Sequence, residues 1–183
     1  MQRPTKRPFR LADALVLVAS CALGFAFVRV SLDYELTFWS LSTDLMILRG
    51  SWYAVLALFP PTVAGLLLRL RKPRPRLRTL CTQPGFVSAI MVVLVTAHNF
   101  LCIGLDQLAY GVPGKSSLYD QTNGFAMLFT VSAAAAVLAS WTLLAVGGRW
   151  RPERSWMDRL GRALGVFWLL SGLVPPILNL TFR

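Results

Sequence analysis

One ionisable side chain stands well inside an apolar run. It is His98, followed by Asn99, within residues 86–105. An ionisable group inside a membrane span is costly and marks a functional site by default. Imidazole titrates near neutral pH and can relay or sense a proton, which makes His98 and Asn99 the candidate intramembrane polar site. The same residue types can instead hydrogen-bond across helices and hold a bundle together. The two are adjacent and so point to different helix faces, the chain holds no second histidine, and no acid lies within a turn or two. The structural role is the preferred reading.

The other reactive residue types are sparse. Asp13 lies just after Arg10 at the start of the first apolar run. A carboxylate there complements a helix N-terminus, so capping is expected rather than catalysis. Asp106 ends the third run and is expected to reach external water. Cys21, Cys81 and Cys102 show neither metal-ligand spacing nor C-x-x-C and read as small hydrophobes. There is no H-E-x-x-H, no G-x-S-x-G, no phosphate-binding loop and no Cys/His cluster. No pair of intramembrane carboxylates suggests ion-coupled transport. The expectation is a chain with no catalytic residue, no cofactor and no metal.

The elements that must carry these residues follow from hydropathy and charge. Of 183 residues 55% are hydrophobic and 15% charged, where a soluble domain is about 25% charged. Long uncharged stretches predict spans at about 11–29, 51–68, 86–106, 124–146 and 162–181. Eighteen residues at about 1.5 Å each just cross a ~30 Å hydrocarbon layer. A basic start before an apolar run also has the outline of a signal peptide. The run continues past Cys21 through Ala22-Leu23-Gly24-Phe25, so an uncleaved span is expected.

Fifteen of the nineteen cations fall in residues 3–10, 69–78 and 149–162. Cytoplasmic loops carry such an excess, and these segments alternate with the spans as cytoplasmic loops should. The proposed outer segments hold four cations against five acids. Topology therefore accounts for the net charge of +11, and no nucleic-acid partner is expected. Arg69, Arg71, Lys72, Arg74, Arg76 and Arg78 are expected to contact anionic headgroups, each worth roughly 1 kcal/mol near the surface.

Smaller signals refine this picture. Pro60, Pro61, Pro175 and Pro176 predict helix kinks, and the carbonyls freed by Pro60 and Pro61 need partners, from Thr62 or a neighbouring helix. Residues 30–50 should be external and partly at headgroup level. Residues 110–123 should form an external loop, since Pro113-Gly114 and Asn123-Gly124 are turn pairs. Gly161-x-x-x-Gly165, with Gly172 seven residues on, matches a helix-packing pattern. The small residues at 132–136 could be its partner, within the chain first and between chains second. Ser155 and Asp158 fit a helix start, with Asp158 placed to pair with Arg162 one turn on.

Phe9-Arg10-Leu11-Ala12-Asp13 ahead of an alanine- and leucine-rich run resembles the start of many bacterial multi-pass membrane proteins of unknown function. Pro73-Arg74-Pro75-Arg76 with Gln83-Pro84-Gly85 extends the likeness, which otherwise covers about the first twenty residues. It implies a membrane protein and supplies no activity. The expectation is thus an all-α integral membrane bundle of five transmembrane helices in a bacterial plasma (inner) membrane. Residues 1–10 form a basic cytoplasmic arm, residues 11–183 a single transmembrane domain, and the C-terminus is external. The expected role is a non-enzymatic interaction or scaffold subunit. It would meet anionic lipid, and copies of itself or other chains through small-residue helix faces. The alternative is a small transporter or permease component with a polar site at His98 and Asn99.

Overall fold

A computed structural model describes residues 10–36, 43–71, 77–110, 115–151 and 155–181. They form α1 (Leu11–Leu36), α2 (Thr43–Leu70), the single turn α3 (Leu77–Leu80), α4 (Pro84–Tyr110), α5 (Lys115–Val146) and α6 (Trp156–Thr181). Among the described residues there is no strand. Four stretches are long and apolar enough to cross a membrane: Leu11–Leu32, Trp52–Leu70, Pro84–Cys102 and Leu128–Val146. Helix is the outcome lipid imposes on such sequences, because every backbone donor must be met within the segment.

The helices outrun their apolar windows. α5 begins at Lys115, so most of the loop expected at 110–123 is helical, Asn123-Gly124 included. Turn residues there only lower helix propensity, by about 1 kcal/mol at most for the glycine, and thirty-two residues of otherwise continuous helix outweigh that. Likewise α1 runs through Asp33 and Glu35 to Leu36. Pro60 and Pro61 lie inside α2, and Pro175 and Pro176 lie inside α6.

Helices α2, α4, α5 and α6 all pack against one another, whereas α1 packs principally on α2. Only 11% of the α1 window is buried, against 33%, 39% and 33% for the other three. The core where the four meet contains Val55, Val92, Phe129, Ala133, Val137 and Trp168. Trp168 donates its indole N–H to Thr62 Oγ1 at 3.0 Å, and Thr62 donates in turn to Leu58 O at 2.7 Å. A buried indole with its donor met adds both area and direction to the packing of α6 on α2.

Thr62 therefore does not serve the carbonyls that the prolines free. Pro60 and Pro61 have no N–H, so Leu56 O and Ala57 O lose their intrahelical donors. Gly24 of α1 lies against both. A Cβ on Gly24 would stand 2.7 Å from Ala57 O and 3.1 Å from Leu56 O. Only glycine lets the α1 backbone lie over the break, close enough for weak Cα–H···O contacts. The neighbouring helix, rather than Thr62, covers the gap. Gly24→Val should move α1 off α2, costing about 1–3 kcal/mol as overpacking does. The expected readout is loss of cross-linking between cysteine pairs engineered across α1 and α2, with the four-helix core intact.

Candidate functional site

The densest polar constellation lies at the basic end of the bundle, where α2 ends and α4 and α6 begin. The first N–H groups of a helix have no intrahelical partner. In α6 the start is conventional: Ser155 Oγ accepts the N–H of Asp158 at 3.3 Å. In α4, Pro84 at the first helical position has no N–H to satisfy. The next donor, Gly85 N–H, is met from another helix, by Asp158 Oδ1 at 3.1 Å. One fully buried carboxylate thus sits at the N-termini of two helices, where both dipoles favour an anion.

Two guanidiniums neutralise it. Arg162 Nε lies 3.3 Å from Asp158 Oδ2, one turn on in α6, off the line a hydrogen bond needs. Arg69, the last cation of α2, brings Nη2 to 3.7 Å from Asp158 Oδ1. It also donates to Gln83 Oε1, and its guanidinium carbon lies 6.0 Å from the Phe86 ring centroid. A buried carboxylate is tolerable on these terms, paired and hydrogen-bonded.

The constellation exists because two glycines let α4 and α6 touch backbone to backbone. A Cβ on Gly161 would fall 2.3 Å from Gly85 O, and one on Gly85 would fall 2.4 Å from Asp158 O. Ser88 Oγ sits between the helices, 3.2 Å from Gly85 O and 3.1 Å from Gly161 O. Trp141 of α5 donates to Pro84 O at 3.1 Å, and Trp150 meets Trp141 edge-on at 5.7 Å. Gly148, with φ of 61°, ends α5 in a Schellman turn: Arg149 N–H bonds Leu144 O and Gly148 N–H bonds Ala145 O. That turn sends the chain back so that Arg151 N–H reaches Thr82 O at 3.1 Å. The two basic connections are therefore tied to each other at one end of the molecule.

The residues singled out by sequence divide accordingly. Gly161 faces Gly85, not the alanines of α5; Gly165 meets Trp141 and Ser88; Gly172 meets Ala134 and Thr130 of α5. Arg71 and Arg78 are exposed, but Arg69 is buried in the network and is not a headgroup contact. Its position at the end of a helix, next to a carboxylate from α6, outweighs its membership of a basic run. Lys72, Arg74 and Arg76 lie outside the described residues. Asn99 is buried and donates to Ser132 Oγ of α5 at 3.1 Å. His98 points the other way, exposed, with Nε2 3.7 Å from Cys102 Sγ. Asp13 is buried and accepts Arg10 N–H at 3.2 Å, the helix-start role expected of it.

A narrow cleft, roomy enough for about one water, opens between α2, α4 and α6, lined by Thr62, Arg69, Phe86, Gly161 and Leu164 among others. His98, Pro60 and Pro61 do not line it. No group of three or more His, Cys, Asp or Glu that could hold a metal occurs among the described residues. Ser88 escaped the sequence reading, and Gln83-Pro84-Gly85 entered it only through the resemblance; the partner of Gly85 on α6, seventy-three residues away, is not legible in the sequence.

Comparison with known protein families, curated proteins and solved structures finds no match to this chain.

Asp158→Ala leaves Arg69 buried without its carboxylate and Gly85 N–H without its acceptor. A loss of about 3–5 kcal/mol is expected, the range for breaking a buried pair on one side. Asp158→Asn, which can still accept from Gly85, should lose less. Reversible SDS unfolding followed by tryptophan fluorescence measures both.

Proposed function

We propose that the chain is a five-span protein of a bacterial plasma membrane that acts as a non-enzymatic interaction or scaffold subunit. Its N-terminus and basic connections face the cytoplasm and its C-terminus is external. α6 supplies the fifth span: residues 163–180 carry no Asp, Glu, Lys or Arg, and α6 packs against α2, α4 and α5. Orientation rests on charge. Residues 69–78 and 149–162 hold eleven cations, and the joined connections put both segments at one end, the distribution that the positive-inside rule assigns to the cytoplasm.

One observation carries the scaffold role over transport. Asn99, the residue of the candidate pair that faces the bundle, is committed to Ser132. A transport site needs polar groups converging on a cavity near the membrane midplane. Where α2, α4, α5 and α6 meet, the described core is apolar instead, with Val55, Val92, Phe129, Ala133, Val137 and Trp168. The exposure of Arg71 and Arg78 supports contact with anionic headgroups at the inner surface.

Two experiments test the reading. Single cysteines placed at Arg74 and near the C-terminus, in a chain without its native cysteines, should label from opposite sides. The Arg74 position should react only after the membrane is permeabilised; the reverse pattern would overturn the topology. Asn99→Ala should leave any activity that depends on the protein in cells unchanged and cost about 0.6–2 kcal/mol of stability, as intramembrane hydrogen bonds do. Loss of that activity with full insertion would favour the transporter reading.

A further inference from the structure

Facing away from the bundle, α4 carries two soft metal donors one turn apart. His98 is exposed and Cys102 partly so, with Nε2 and Sγ separated by 3.7 Å. The surrounding stripe, Leu94, Ala97, Leu101 and Leu105, is exposed and apolar. His98 lies fourteen residues beyond Pro84, within the apolar window that ends at Cys102, about 21 Å along the helix axis at 1.5 Å per residue. Intramembrane ionisable side chains almost always face a bundle interior, a cavity or a partner. This one faces outward.

We infer that His98 and Cys102 form half of a tetrahedral site for a borderline-soft divalent cation such as Zn2+, completed by the same pair on a second copy of this chain. Four points support it. Zinc holds imidazole nitrogen at about 2.0–2.1 Å and thiolate sulfur at about 2.3 Å, which puts two donors about 3.6 Å apart at the tetrahedral angle; the observed separation is 3.7 Å. Positions i and i+4 share one helix face, the spacing that lets two side chains chelate one ion. His98 is the one histidine of the chain, so a second imidazole comes from a second molecule. Finally, binding releases one proton from each thiol to solvent. Two thiolates then cancel the charge of the ion, and the filled site brings no net charge into lipid. A two-fold axis beside α4 would supply both halves with one surface, flanked by Ala97 for close approach and by Leu94, Leu101 and Leu105 for packing.

The inference names a partner for the scaffold role, a second copy, and rests on the chain crossing the membrane; the labelling map above tests that premise separately. The test uses the full chain with Cys21→Ser and Cys81→Ser, in mild detergent micelles under a phosphine reductant, titrated with Co2+ and then Zn2+. Expected are the intense visible bands and thiolate charge-transfer band of tetrahedral Co2+, at one ion per two chains, abolished on displacement by Zn2+. Protein mass per micelle should double with metal. His98→Ala and Cys102→Ser should each weaken binding at least tenfold, with helical content by circular dichroism unchanged. Leu101→Trp keeps every donor but crowds the face, and should lose the metal-dependent doubling together with the tetrahedral spectrum. Several results would overturn the inference: no binding, an octahedral spectrum, one ion per chain, doubling independent of metal, or binding unaffected by Leu101→Trp.

Discussion

A carboxylate out of contact with water must be held by donors and opposite charge, or it will not stay there as an anion. Asp158 meets that requirement by taking one contact from each element around it: Gly85 N–H from α4, Arg69 from α2 and Arg162 from its own helix. Satisfying one side chain therefore fixes the relative positions of three helices at the basic end. The α4–α6 approach, the burial of Arg69 and the placement of Gln83 all follow from the same contact. Because the interaction spans elements far apart in sequence, it specifies tertiary arrangement rather than local structure. A buried ion pair is weak evidence of net stability, but removing one partner leaves a costly unpaired charge.

The glycines divide the labour with that carboxylate. Gly85 and Gly161 bring two backbones together where the network sits, and Gly165 and Gly172 continue the seam of α6 toward Trp141, Ala134 and Thr130. Between helices in lipid, contact is driven by packing rather than by release of water, so the absence of a side chain is itself the attractive feature. Where larger groups appear at the seam they bring their own hydrogen bonds, as Ser88, Trp141 and Trp168 do.

Much of this was legible in the sequence, and what was not has a physical reason. The all-helical architecture, the approximate apolar stretches and the separation of His98 from Asn99 onto different faces follow from hydropathy and the helical period. So do the roles of Asp13 and Ser155 at helix starts, which depend on neighbours three residues away. Contacts that depend on which helix lies opposite were not legible. Gly161 was assigned to the alanines of α5, yet Gly85 is its partner. Arg69 was counted with the basic run, because charge clustering records the number of cations and not which one turns inward. The helical start of α5 was hidden by turn residues whose preference is weaker than the continuity of a long helix.

The glycine-over-proline contact between α1 and α2 bears on assembly. A ribosome makes these two helices before any other part of the bundle exists. The second carries two prolines without an N–H to give Leu56 O and Ala57 O, and the helix that lies against those oxygens has already been made, with Gly24 opposite them. The order of synthesis thus matches the packing: the least enclosed of the four apolar windows precedes the helix whose proline turn it covers.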